Sequence, residues 1–187
     1  MPAPRARNAE ATRAEILVAA RSRFGADGYD RTTLRAVAAD VGVDAALVIR
    51  YFGSKQDLFA AAAEFTIDLP DLREVPAGSL AEVLLSRFFA VWEEDATFVA
   101  LLRAAMTSNT AAETMRQVFV TQVAPSLAAV TPDHPAERVG LLGAFIIGLA
   151  TTRYVLANPA VVNLSHEDMI RWASPVIHQL LTGPAPQ

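Results

Sequence analysis

The chain has 187 residues, 52% of them apolar, no cysteine and a formal net charge of −4. That length and apolarity support one compact unit or two small ones and exclude a largely disordered chain. Without cysteine there are no disulfides and no thiolate sites, which fits a reducing compartment. The cations are fifteen arginines and the single Lys55, unevenly spread: residues 1–55 carry a net +3 and residues 56–187 a net −7. A basic segment on an acidic body implies that the first part meets a polyanion and the rest does not, although an uneven solvated surface would read the same way.

In chain order every predicted element is a helix, about nine in all, because apolar residues recur at three and four and alternating β-branched runs are missing. The opening "MPAPRARNAE" has no apolar run behind its arginines, so a signal peptide is not expected. Arg5 and Arg7 read either as an arm for a minor groove or as a solvated tail. The first helix, within "EATRAEILVAARSRFGADGYD", places Ile16, Leu17, Ala20 and Phe24 on one face. The second follows Thr32-Thr33, buries Leu34, Val37 and Val41, and ends at Gly42. The third is capped by Asp44 and buries Val48 and Phe52, with Val43 at its entry. At a helical rotation of about 100° per residue, Ala46 and Arg50 then point outward between Leu47, Ile49 and Gly53. Ser54-Lys55 opens a fourth helix, expected to run to Ile67.

Three short helices joined by the glycine-containing turn "VGVD" (41–44) have the geometry that lets one helix enter a major groove. The third helix is apolar for such a task. Ala45, Ala46, Leu47 and Ile49 cannot hydrogen-bond a base but can pack on thymine methyls. Arg50 can fork onto guanine O6 and N7, or be a plain surface arginine, and Tyr51 can donate to a phosphate. Asp44 would repel a phosphate yet can accept from a cytosine amino group.

The proline-bearing stretch 68–78 is the seam, giving an N-terminal part (1–53), a connecting helix (54–67) and a larger helical part (68–187). Capping boxes at Ser54, Ser79, Thr110 and Ser165 mark helix starts. The helix "SLAEVLLSRFFAVWEED" carries Arg87 on a face with Leu80, Leu84, Phe88 and Val91, so Arg87 must pair with an internal carboxylate or meet an anion. Trp92, Met106, Phe119 and Gln122 read as walls of an apolar ligand pocket with Arg87, or as plain core. In "ERVGLLGAFIIGLATTRYVLA" a stripe of small residues, Gly140, Ala144, Gly148 and Thr151, with Gly143 at its edge, implies close approach of another helix. That helix belongs to a second copy, as a homodimer, or to an intrachain crossing. The apolar run Val139–Thr152 is shorter than a membrane span and is bracketed by Arg138 and Arg153. No membrane partner, metal or cofactor is expected. The three histidines show no catalytic or metal spacing, and His134 with Asp133 reads as a helix cap.

The stretch "RAEILVAARSRFGADGYDRTTLRAVAADVGVDAALVIRYFGSKQDL" (13–58) resembles the N-terminal signature of the TetR family of transcriptional regulators. The match includes the Ile-Leu-x-Ala-Ala core of the first helix, Phe24, Gly28-Tyr29, the Thr-Thr pair, Ala38, Gly42-Val43, Phe52 and Ser54-Lys55-x-x-Leu58. "RYVLANPAVVNLSHEDMI" resembles one of that family's C-terminal subgroups. The chain departs from the family where Asp44 replaces a polar residue such as Ser and Ile49 replaces Tyr. The resemblance implies an all-α fold, with a helix-turn-helix DNA-binding domain followed by a helical ligand-binding and dimerisation domain. It further implies Thr33 and Lys55 clamping the DNA backbone, and a double-stranded palindromic operator released by a small-molecule effector. The rivals are a helical small-molecule-binding or scaffold protein without DNA function, and an enzyme. The expectation is a cytoplasmic repressor.

Overall fold

The computed structural model describes residues 4–63, 67–94 and 96–186, with side chains from residue 9 onward. Arg5 and Arg7, proposed as an arm, therefore have side chains outside the described residues. Among the described residues the secondary structure is helical, without a strand. The fold is all-α, as the sequence predicts. The chain forms two compact units, one from residues 1–65 and 95–115, the other from 66–94 and 116–187. Residues 95–115 thus cluster with the N-terminal helices and not with the remainder of 68–187.

The first unit is built on α1 (Pro4–Arg31), whose Ile16, Ala20 and Phe24 are fully buried at a spacing of four. Gly28 interrupts α1 with φ 79° and ψ 172°, a backbone state that only glycine adopts without strain. The buried Thr32 then donates from its hydroxyl to the Gly28 carbonyl, 2.9 Å away. Next come α2 (Leu34–Val41), α3 (Ala45–Phe52) and α4 (Lys55–Ala62). Val37, Ala38, Val48, Phe52, Leu58, Phe59, Ala62 and Ala63 close one core over α1. Edge-to-face rings lock it: Phe24 on Phe59 at 4.8 Å and Tyr29 on Phe59 at 5.0 Å.

Helix α4 is shorter than predicted. It is described as Lys55–Ala62, where the sequence expected it to run on to Ile67, and its last carbonyl, Ala62, accepts from Arg21 Nε of α1 at 2.9 Å. Residues 64–66, on which that extension rests, lie outside the described residues.

The rest of the first unit is α6 (Ala96–Ala105) and the start of α7 (Asn109–Val118). Helix α6 lies against α1 so closely that a Cβ on Gly25 would stand 2.9 Å from the Ala96 Cβ. The buried Thr97 hydroxyl donates to the Arg21 carbonyl. Helix α7 starts earlier than the predicted Thr110 box: Ser108 accepts from Ala111 N, and the Thr110 hydroxyl instead accepts from Gln56 Nε2 at 2.7 Å.

The second unit contains α5 (Leu80–Glu94), α8 (Ala124–Ala128), α9 (Pro135–Ala150), α10 (Pro159–Val162) and α11 (His166–Leu181). Helix α11 packs on α5 and α9 through Met169, Ala173, Ile177 and Leu181, buried at every fourth position. Two π-helical turns sit here, Phe119–Val123 before α8 and Thr151–Val155 after α9. The first has a chemical cause: Pro125 cannot donate to the carbonyl four residues back, and Ala124 bonds five back to Phe119. With its π turn, α9 runs Pro135–Val155 and is long and apolar enough to cross a membrane by length and composition, longer than the run read from the sequence. Its Arg138 is 6% exposed, because Nε meets Asp133 at 2.6 Å while Nη1 and Nη2 donate to the Leu180 and Gly183 carbonyls. His134, expected as a cap, makes no capping bond and sits at φ 42°. Asp133 is already engaged by Arg138.

Candidate nucleic-acid interface

Local chemistry explains why α3 stands where it does. Thr33 caps α2 by accepting from Ala36 N at 3.1 Å. At the other end Gly42 takes the left-handed state, φ 73° and ψ 30°. There Gly42 N donates to the Ala39 carbonyl and Val43 N to the Ala38 carbonyl, a Schellman closure that turns the chain sharply. Asp44 then starts α3 by accepting from Ala46 N at 2.7 Å. Ser54 and Asp57 form a reciprocal capping box that starts α4 immediately after Gly53. Four caps in 25 residues (33–57) set the angle of α3 before any tertiary contact is counted.

Burial of Val48 and Phe52 decides which side of α3 faces out. Ala46, Ile49 and Arg50, related by three and four, are exposed together, with Ile49 51% exposed. Leu47 flanks them half-buried, while Ala45 and Tyr51 pack partly on the core. The exposed strip is therefore narrower than the sequence reading, which had offered all of Ala45 to Tyr51 except Val48. Its one hydrogen-bonding side chain is Arg50, whose guanidinium carbon lies 5.6 Å from the Tyr51 ring centre.

Two residues assigned to backbone clamping are already in use. Thr33 spends its hydroxyl lone pair on Ala36 N, which leaves the O–H free to donate. Lys55 Nζ donates to the Asp30 carbonyl at 3.0 Å and lies 4.5 Å from the Tyr29 ring centre, tying α4 to the end of α1. A lysine has three donors, so it can do this and still meet a phosphate. The sequence reading passed over Arg35, exposed two residues after Thr33. Its signal was available, a cation in the first turn of the helix before the reading helix.

The residues expected to form a ligand pocket have different settings. Met106 belongs to the first unit, 58% exposed in the turn after α6. Trp92 is buried among Phe88 and Tyr154, ring centres 6.1 and 6.2 Å away, so it serves as core. Gln122 accepts from Ile67 N at 2.7 Å. Phe119 lays its ring against Gly143, where a Cβ would stand 2.8 Å from Cζ. Arg87 differs from these. Its Nε is sealed from solvent and has no hydrogen-bond partner, and no carboxylate pairs with it among the described residues. An unmet buried donor costs about 1–3 kcal/mol.

The small-residue stripe divides. Gly143 is used inside the chain by Phe119, whereas Gly140 and Gly148 have nothing within 4 Å of a would-be Cβ. Gly140, Ala144 and Gly148 are exposed and Thr151 is half-buried. Sequence reasoning missed the large apolar residues exposed in the same unit: Leu141 at 58%, Leu156 at 69% and Trp172 at 73%. It also missed a cluster around Glu93, which accepts from Tyr154 Oη at 2.8 Å and pairs with His166 Nε2 at 3.0 Å and Arg153 Nε at 3.6 Å. Burial alone would raise the Glu93 carboxyl, but the Tyr154 and His166 hydrogen bonds and the neighbouring Arg153 hold it below the ordinary carboxylate value. No group of His, Asp or Glu among the described residues is arranged to hold a metal.

A sequence model of the bacterial regulatory proteins of the tetR family matches residues 16–62, the caps and helices just described. A second, for tetracyclin repressor-like C-terminal domains, matches residues 79–181. The HTH-type transcriptional dual regulator CecR of Shigella flexneri is 35% identical over 78 residues, which are 42% of this chain and 34% of that protein. The matched segment thus spans about a third of that curated relative's length. Among solved structures, a TetR-family regulator of Streptomyces coelicolor is 26% identical, with a TM-score of 0.62 over 91% of this chain and 94% of that one. NalD of Pseudomonas aeruginosa, the secondary repressor of the MexAB-OprM multidrug efflux pump, shares the fold at 20% identity, with a TM-score of 0.68 over 94% and 98% of the two chains. With its N-terminal helix-turn-helix and its C-terminal helical region both matched, this chain belongs to the TetR family of transcriptional regulators.

Proposed function

We propose that this regulator is a homodimeric, cytoplasmic repressor that holds a palindromic DNA operator and leaves it when a small, largely apolar effector binds its second unit. The observation that carries the DNA reading is the α3 strip. A capped, rigid helix exposes Ala46, Ile49 and Arg50 together while burying Val48 and Phe52. Exposed apolar residues on such a helix suit thymine methyls, and Arg50 suits a guanine. Thr33, Asp44, Ala45, Leu47, Tyr51 and Lys55 flank this strip and take supporting contacts to bases or backbone.

The dimer reading rests on α9. Glycines inside a helix lower its stability, and Gly140 and Gly148 gain no contact within the chain in return. A second copy laid on Gly140, Ala144, Gly148 and Thr151 would supply that contact and cover a helix whose most apolar 18-residue stretch is only 28% buried. The effector reading rests on Arg87, with Phe119 and Gln122 as further candidates. The description of NalD as a repressor supports the sign of regulation.

Selection of bound duplexes from a random DNA pool tests the proposal. The expected outcome is an inverted repeat whose half-sites each carry one dominant G·C pair among A·T pairs, bound with a steep salt dependence. Enrichment of no sequence, or of a site without two-fold symmetry, would overturn it.

A further inference from the structure

Six arginines fall in the second unit, at positions 73, 87, 116, 138, 153 and 171. Arg73 pairs with Asp71, and Arg171 with Glu167 and Asp168. Arg138 meets Asp133 and two carbonyls. Arg153 meets Glu93 and donates to the Val161, Val162 and Leu164 carbonyls. Arg116 is engaged as well. Arg87 alone stands apart among the described residues: half-buried, with a solvent-sealed Nε that donates to nothing. An unmet buried donor on a permanent cation is a specific demand for an anion.

The geometry of the unmet atom narrows the anion. Nε and the nearer Nη of a guanidinium form a parallel fork that matches the two oxygens of a carboxylate. The helical neighbourhood narrows the rest of the molecule. Leu80, Leu84 and Val91 share the Arg87 face of α5 at spacings of seven, three and four, and Leu80 and Leu84 are buried, so the cation is set among packed apolar side chains. We infer that the effector is an amphipathic carboxylate, its head held side-on by Arg87 and its apolar body inserted among the apolar side chains beside it. This rests on the reading that an effector binds the second unit.

Calorimetric titration of the full-length protein with octanoate and with octanol tests it, using wild type, Arg87→Met and Arg87→Lys. Wild type should bind octanoate about tenfold more tightly than octanol, since hydrogen bonds to charged groups exceed neutral ones by about that factor. Arg87→Met, which keeps an apolar stem, should erase the preference. Arg87→Lys should keep part of it, because the ammonium retains the charge and loses the fork. Equal binding of the two probes by wild type, binding of neither, or an octanoate preference unchanged in Arg87→Met would overturn the inference. If circular dichroism shows Arg87→Met unfolded, an unchanged preference in Arg87→Lys does the same.

Operator release by each probe, followed in parallel, separates the two readings. Release by octanol as effective as by octanoate sinks the carboxylate inference and leaves the effector reading standing. Octanoate that binds through Arg87 without releasing operator keeps the site and sinks ligand release.

Discussion

Arg50 and Lys55 are both cations on the proposed DNA side, but the fold holds them differently. Arg50 is exposed with its guanidinium over the Tyr51 ring, whereas Lys55 is tied to the Asp30 carbonyl. Arg50→Ala should therefore cost about 1–3 kcal/mol on the preferred site, relax one G·C preference per half-site, and leave folding stability within about 0.5 kcal/mol. Lys55→Ala should weaken all sequences alike, lower the salt slope by about one, and destabilise the fold by about 1 kcal/mol through the lost bond. Titrations across single-base variants of the site, with urea melts of each mutant, check the division. Identical behaviour of the two mutants would end it. The outward placement of Arg50 was legible in the sequence, because it follows from the rotation between Val48 and Phe52. The tie between Lys55 and Asp30 was not, because it joins residues 25 apart.

At the scale of elements, the cluster around Glu93 fastens the last turn of α5 to the π turn after α9 and to the first turn of α11. The His166 ring also stacks on Phe89 at 3.7 Å, so the junction is packed as well as paired. The net downward displacement of the Glu93 carboxyl means that the folded state holds the proton less tightly than the unfolded chain. Its stabilising effect is therefore present above the ordinary carboxylate value of 4.5 and is lost as pH falls through the lowered folded value. Glu93→Gln should lower the melting temperature at neutral pH and flatten its fall in acid, read from thermal melts between about pH 3 and 7. Parallel acid limbs for wild type and mutant would show that the cluster carries no such linkage. The caps at Thr33, Asp44, Ser54 and Ser165 were readable in advance because each bonds within three residues. The predicted cap at Thr110 failed because Gln56, 54 residues away, claims its hydroxyl. His134 makes no capping bond beside an Asp133 held by the nearby Arg138, and Ser79 lies in a 3-10 turn with no capping bond among the described residues.

For the whole molecule, the proposed mechanism couples two copies and two ligands. Replacing Gly148 with Leu should shift the protein toward monomer and weaken operator binding, since the side chain would enter the space proposed for the second copy. Sedimentation at micromolar concentration checks this, and a wild type that sediments as a monomer removes the dimer. The chain passes between its units at 65–66, 94–95 and 115–116, so the proposed effector site in the second unit is joined to the first by three covalent connections. By linkage, an effector that weakens operator binding about 5–150-fold must itself bind the operator complex more weakly by the same factor. Titrating the effector with and without saturating operator measures this. An affinity indifferent to operator would make that compound a ligand without a switching role.

What the amino-acid sequence determined by itself was everything set by short-range geometry: the all-helical character, the helix-turn-helix with its Gly42 turn, and the inward and outward faces of α1 and α3. Apolar spacing and caps act within a few residues, so a reader of the chain sees both partners at once. Tertiary structure alone decided which similar residues had different fates. Gly143 is filled by Phe119 while Gly140 and Gly148 stay open, and the Ala62 carbonyl at the end of α4 is taken by Arg21, 41 residues earlier in the chain. Of the residues read together as pocket walls, Met106 is exposed in a turn while Trp92 is buried. Arg87 could have paired with any of several carboxylates in sequence terms. Only the placement of every helix around it leaves its Nε buried and unmet, because the pairing of a long side chain depends on what other elements bring within its reach.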